Sequence, residues 1–228
     1  VIELEDVRVM YGRTLALDSI SLELVDGVIG LFGQNGSGKS TLLRLIAGFV
    51  TPRRGTVRSD GRPIRLGDEA WRRMIGYAGH EPGLYGRLTV RENLELFARL
   101  YDADTARASE LLHALDVAGR ADSRVDSLSA GLKRRVSVAR ALLHDPTILL
   151  LDEPYANLDD DAADRVSEAV KAWRRPGRVA LIATHGAKRV KAFAGAAIIL
   201  KQARVMSYRV RTGAFSSEAV DALETADE

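Results

Sequence analysis

The octapeptide Gly33-Gln34-Asn35-Gly36-Ser37-Gly38-Lys39-Ser40 meets every fixed position of the phosphate-binding pattern G-x-x-x-x-G-K-[S/T]. Glycines at those positions let backbone N–H groups turn inward around phosphate oxygens. A helix opening at Lys39 adds its positive dipole end, Lys39 adds a point charge, and the Ser40 hydroxyl can reach Mg²⁺. An ordinary glycine-rich turn would explain the glycines but not Lys-Ser at the start of an apolar-periodic stretch. The second chemical signal is Ile148-Leu149-Leu150-Leu151-Asp152-Glu153, four aliphatic residues that deliver two carboxylates at one strand end. There Asp152 can hold the magnesium shell and Glu153 can polarise an attacking water, the division of labour that phosphoryl transfer requires. Alone, an apolar strand ending in Asp-Glu marks only the start of a loop; beside a P-loop it points to phosphate chemistry.

These groups need a strand-loop-helix frame. Val28-Ile29-Gly30-Leu31-Phe32 is a continuous apolar run suited to a strand covered on both faces, and Leu42, Leu43, Leu45 and Ile46 follow the loop at helical spacing. Before it, β-formers between the turn signals Gly12 and Asp26-Gly27 read as short antiparallel strands, and Pro52, Gly55 and Gly61-Arg62-Pro63 punctuate another β-rich patch. The period then becomes helical through Val90, Leu94, Phe97, Leu111, Leu112, Leu115, Leu132, Val136 and Leu143, until Pro146. Strand Ile148–Leu151, a helix with Val166, Val170 and Trp173, strand Val179–Ala183 and the apolar Ala196–Leu200 restore α/β alternation. The expected organisation is one domain over residues 1–228. Its core and β-subdomain cover about 1–87 and 145–215, its helical subdomain about 88–144, and an acidic tail 216–228.

Composition narrows the classes. With 46% hydrophobic and 28% charged residues, 228 residues suffice for a compact core and exclude a disordered chain. A net charge of +2 is too small for a protein that wraps nucleic acid. The absence of cysteine excludes a disulfide framework, a Cys-ligated zinc and a thiol nucleophile, and makes the cytoplasm the expected compartment. No apolar run approaches the roughly 20 residues that cross a bilayer, so work at a membrane needs a partner that spans it. The opening Val-Ile-Glu-Leu-Glu-Asp has no secretory signal pattern, so no export of the chain is expected.

Taken in order, these motifs resemble the ATP-binding subunit of ABC transporters over nearly the whole chain. The resemblance implies an α/β P-loop NTPase core with an antiparallel β-subdomain and an inserted helical subdomain, binding ATP and Mg²⁺. It assigns residues 33–40 and Thr41 to the phosphates, Tyr11 to adenine stacking, Ser40 and Asp152 to magnesium, and Glu153 and Lys39 to catalysis. Leu128-Ser129-Ala130-Gly131-Leu132 lies where the family carries its signature; Ser129 and Gly131 then face the γ-phosphate held by a second subunit, although Ser129 is equally a good helix N-cap. Asp159 matches the loop linking two nucleotide sites across a dimer, and His185 matches the family's switch histidine. The implied working unit is a head-to-tail pair of identical or homologous ATPase subunits. Polytopic membrane subunits hold the pair at the cytoplasmic face of the membrane and power transport, expected to be export; no nucleic acid is involved.

Two positions depart from the family pattern. Ile75-Gly76-Tyr77-Ala78-Gly79-His80 puts His80 where a Gln normally meets magnesium and water, which substitutes a titratable ring for an amide. The signature ends in Leu132 instead of Gln. The Gly-His variant, with Leu88-Thr89-Val90-Arg91-Glu92-Asn93-Leu94 after it, also looks like the haem-exporter subgroup of cytochrome c maturation. Competing readings are an ABC ATPase that acts on ribosomes or DNA, disfavoured by the single motif set, and a degenerate regulatory subunit, disfavoured by Glu153 and His185.

Overall fold

The computed structural model describes residues 1–210. Strands β1 (Ile2–Tyr11) and β2 (Thr14–Leu24) form a long antiparallel hairpin, after which β3 (Gly27–Phe32) leads through the glycine loop into helix α1 (Lys39–Ile46). Strands β4 (Arg54–Ser59) and β5 (Arg62–Pro63) join the hairpin in a four-stranded sheet of order β2-β1-β4-β5. These two strands run 10 and 11 residues, longer than the short strands expected, because Ile2 and Leu4, then Val7 and Val9 after a register shift, and Leu22 and Leu24 alternate into the core.

Helix α2 (Glu69–Met74) runs directly into β6 (Ile75–Ala78). Periodicity is too short to mark α2. It is fixed by the Asp68 cap on the Trp71 N–H and by the Trp71 indole, which donates to the Ile46 carbonyl at 2.8 Å. Helices α3 (Val90–Tyr101), α4 (Thr105–Ala114) and α5 (Ala130–Leu142) follow, with two 3₁₀ turns between α4 and α5. Thr89 and Glu92 start α3 with a capping box. The chain then alternates β7 (Ile148–Asp152), α6 (Asp160–Trp173), β8 (Val179–Ala183), α7 (Ala187–Lys191) and β9 (Ala196–Lys201) before β10 (Arg204–Val210). The acidic tail expected at residues 216–228 lies outside the described residues.

The second sheet has the order β10-β9-β3-β8-β7-β6, parallel except for the β10 edge. Each central strand is buried on both faces, the pattern of a sheet between helical layers. Ile148 and Leu150 point into one apolar cluster with α1 and the β1-β2 hairpin, and Leu149 and Leu151 into the other with α3 to α6. This is the mixed α/β fold with a separate antiparallel sheet expected of the P-loop class. It gathers the C-terminal ends of β3, β7 and β8 at one edge, where open α/β sheets place ligands.

Candidate nucleotide site

The loop from Gly33 to Gly38 is shaped by contacts that only glycine tolerates. A Cβ on Gly33 would collide with the Leu200 carbonyl, and one on Gly38 would lie 2.6 Å from the Ala16 carbonyl; their φ angles are 149° and 108°. The strand ends β9 and β2 therefore seat the loop from outside. Below it, the tight turn at Gln202 and Ala203 sends the Ala203 N–H to the Ser37 carbonyl at 3.2 Å. Nothing caps α1 through a side chain: Gly38 is its N-cap residue and contributes none. The first N–H groups of that helix consequently point at the loop's concavity, as an anion site needs.

Lys39 is 6% exposed and folds back, donating from Nζ to the Gly33 and Gln34 carbonyls at 2.5 and 3.0 Å. Burial lowers its pKa, while the nearby charges of Glu153 and Asp152 oppose that shift. The same lysine is thus in electrostatic reach of the phosphate loop and both acids. Asp152, at the end of β7, is 2% exposed, and its Oδ2 has no hydrogen-bond partner. An orphaned carboxylate oxygen this deep suits a divalent cation, and with the half-buried Ser40 hydroxyl it fits Mg²⁺, which binds through one or two protein oxygens plus phosphates and waters. Among the described residues no three His, Cys, Asp or Glu side chains come together as a metal-holding group.

Glu153 follows with φ 49°, a left-handed conformation that is strained for a non-glycine residue and turns its carboxylate away from the strand line. Its Oε1 accepts the His185 N–H at 3.0 Å, and Oε2 lies 3.0 Å from His185 Nδ1. The carboxylate is 13% exposed and the imidazole 70%, so the carboxylate is fixed and sheltered while much of the ring faces outward. Neither motif alone signals this contact; β7 and β8, neighbours in the parallel sheet, bring the two residues together.

The remaining residues fall into two groups. Tyr11 ends β1 and is 45% exposed, leaving its ring accessible. Asn35 and Gly36 lie exposed at the loop crest, with open space above Gly36. Ser129 caps α5 by accepting the Leu132 N–H at 3.2 Å, Asp159 caps α6 by accepting the Ala162 N–H at 2.8 Å, and both are exposed. Gly131 packs on this second surface: a Cβ there would lie 2.6 Å from the Asn157 carbonyl. Leu132, the departure from the signature, packs against the apolar cluster below α5. His80 has an exposed side chain, and its carbonyl is held by Arg134, a residue that motif spacing did not single out.

Comparison with known proteins places this geometry. Residues 17–156 match the ABC transporter family model. The chain is 36% identical over 190 residues to the Nod factor export ATP-binding protein I of Cupriavidus metallidurans, covering 81% of this chain and 63% of that protein. It is 32% identical over 209 residues to the ABC transporter ATP-binding protein NatA of Bacillus subtilis, covering 89% and 85%. A solved ATP-binding subunit of an ABC transporter superposes with a TM-score of 0.85 at 26% identity, over 99% of this chain and 98% of that one. A dimeric bacterial ABC transporter cassette does so with a TM-score of 0.85 at 28% identity, over 93% and 100%. With the phosphate loop, the orphaned Asp152 and the paired Glu153 and His185 at one sheet edge, these matches show that the chain belongs to the ABC transporter family, as an ATP-binding subunit.

Proposed function

We propose that this chain hydrolyses ATP to drive outward transport through membrane-spanning subunits, working as a head-to-tail pair. The observation that carries the reading is the adjacency at the end of β7: Asp152 offers an unpartnered oxygen, and Glu153 is sheltered and braced by His185. The loop N–H groups and Lys39 bind the β- and γ-phosphates. Glu153 accepts a proton from the attacking water as the bond between the γ-phosphorus and its bridging oxygen breaks. Ser40 and Asp152 would hold Mg²⁺, whose positive charge offsets the charge developing on the phosphate oxygens. His185, bonded through its backbone N–H and Nδ1, keeps Glu153 aimed and offers its exposed ring edge to the γ-phosphate.

Pairing is supported by the exposure of Ser129 and Asp159, whose hydrogen bonds are spent on their own helices, and by the dimeric form of a structural relative. No described helix is long and apolar enough to cross a bilayer, so under this reading the membrane-spanning part is supplied from outside the described residues. Export is supported by the name of the Nod factor relatives. Purifying the chain with its co-expressed membrane partner and assaying Mg²⁺-dependent ATP hydrolysis tests the proposal. Turnover abolished by Lys39→Ala is the expected result; turnover indifferent to Lys39, or no association with a membrane protein, refutes it.

A further inference from the structure

On α5, Arg134, Ser137 and Arg140 recur every three residues and fall along one strip of the helix. All three donate to main-chain carbonyls of a single segment, residues 77–83. Arg134 reaches Gly79 through Nη1 at 2.6 Å and His80 through Nη2 at 2.7 Å. Ser137 Oγ reaches Pro82 at 2.8 Å. Arg140 reaches Gly83 and Tyr77, both at 2.7 Å. Past Ala78 this segment leaves β6, so its carbonyls lose their ladder partners, and the α5 side chains replace them.

Arg134 is the buried cation of the row. It is 6% exposed, and beyond residues 77–83 its guanidinium also reaches the main-chain carbonyl of Asp152 at 3.4 Å. Burial lowers its pKa against the opposing charges of Asp152 and Glu153. A cation this deep is tolerated only when its donors are filled, and here filling them joins three places: the helix that Ser129 caps, the segment that carries His80, and the strand end that carries Asp152.

We propose that Arg134 is a positioning residue that locks α5 to residues 79–80 and to the end of β7, so that a displacement of the Ser129 helix is delivered to His80 and Asp152. This rests on the ATP-hydrolysis reading above and specifies how the surface for a second subunit communicates with the chain's own nucleotide site.

The test uses the full chain carrying Arg134→Met, Arg134→Gln or Arg134→Lys, with equilibrium ATP binding, kcat and KM measured for each. Because the chain has no cysteine, spin labels can also be placed through Glu81→Cys and Lys133→Cys to report the distance between the segment and α5. Arg134→Met should lower kcat by roughly 10- to 100-fold, the scale of a misplaced catalytic geometry, while KM and ATP affinity stay within about 3-fold. Its label distances should broaden where the unsubstituted pair gives one narrow distribution with and without Mg-ATP. Arg134→Lys, which keeps a buried cation able to reach part of the same carbonyls, should recover part of kcat. If Arg134→Met does not fold, Arg134→Gln decides by the same readouts. A folded variant with unchanged kcat and narrow distances overturns the proposal, as does Arg134→Lys performing no better than Arg134→Met. Should the unsubstituted chain neither bind nor hydrolyse ATP, the functional reading fails, while the label distances still test the lock.

Discussion

Three helices carry the candidate binding residues of this chain at their first turns, and they begin differently. At α1 no side chain caps the first turn, glycine surrounds it, and the neighbouring Lys39 and Asp152 are almost wholly buried. At α5 and α6, Ser129 and Asp159 satisfy the first-turn N–H groups, and both caps are exposed. An uncapped helix start held open by its surroundings is completed by an anionic ligand. A capped start is stable by itself and presents a finished surface that another molecule can meet. The first region therefore needs nucleotide, and under the proposed function the second needs a second chain.

The sharpest way to break this contrast is within the first region. Glu153→Gln should leave ATP affinity near its original value, because the amide is nearly isosteric, and lower turnover by roughly 10²- to 10⁴-fold. Near-normal turnover would remove Glu153 from proton transfer. Lys39→Ala should act on binding, weakening ATP by roughly 100-fold, the scale of a lost charge-assisted contact of about 3 kcal/mol. Equilibrium binding of a fluorescent ATP analogue separates the two effects.

A smaller effect probes the joint between the regions. His144, just past α5, stacks on Tyr101 with ring centroids 4.0 Å apart, and its Nε2 lies 3.1 Å from the Ile75 carbonyl on β6. Burial pushes its pKa down to about 4, opposed by the hydrogen bond to Ile75; Arg107 and Arg140 lower it further and Asp145 raises it. In the unfolded chain the ring titrates near the ordinary value of about 6.5. Below that pH the unfolded state takes up a proton that the folded state refuses, so stability is full above about pH 6.5 and falls as pH drops toward 4. Between pH 7 and pH 5 this group alone should remove about 2 kcal/mol, readable as a shift in urea midpoint. His144→Phe, which keeps the stack, should flatten that part of the profile; an unaltered profile would show that His144 is not the responsible group.

The smallest expected effect is on the second region. Ser129→Ala removes only the cap and should cost about 1 kcal/mol of stability. A much larger cost, measured on the isolated chain, would mean that Ser129 supports the fold beyond its cap and that the exposed surface is not self-sufficient.

What was legible in the sequence was what is local along the chain. The phosphate loop is eight consecutive residues, and the run from Ile148 to Glu153 carries its burial and its acids together, so spacing alone located both. The α/β alternation was equally plain because each element has its own period. What escaped was set by partners distant in sequence. Helix α2 exists because the Trp71 indole finds the Ile46 carbonyl, and β10 pairs with β9 across a two-residue turn whose residues, Gln202 and Ala203, are not the usual turn formers. The role of Arg134 was hidden for the same reason: its spacing from Ser137 and Arg140 is visible, but the carbonyls they share lie more than 50 residues away. The bracing of Glu153 by His185 likewise depends on the register of β7 against β8.

The central claim, that one chain's open phosphate loop is completed by another chain's capped Ser129 surface, is tested most directly by the mass of the Glu153→Gln variant in solution. Analytical ultracentrifugation with Mg-ATP should show that variant doubling its mass, because closure is no longer undone by hydrolysis. Adding Ser129→Arg, which sets bulk and charge against the incoming phosphate, should hold it at the mass of one chain while ATP still binds. A Glu153→Gln chain that binds Mg-ATP yet stays single, or a double variant that still pairs, would contradict the account.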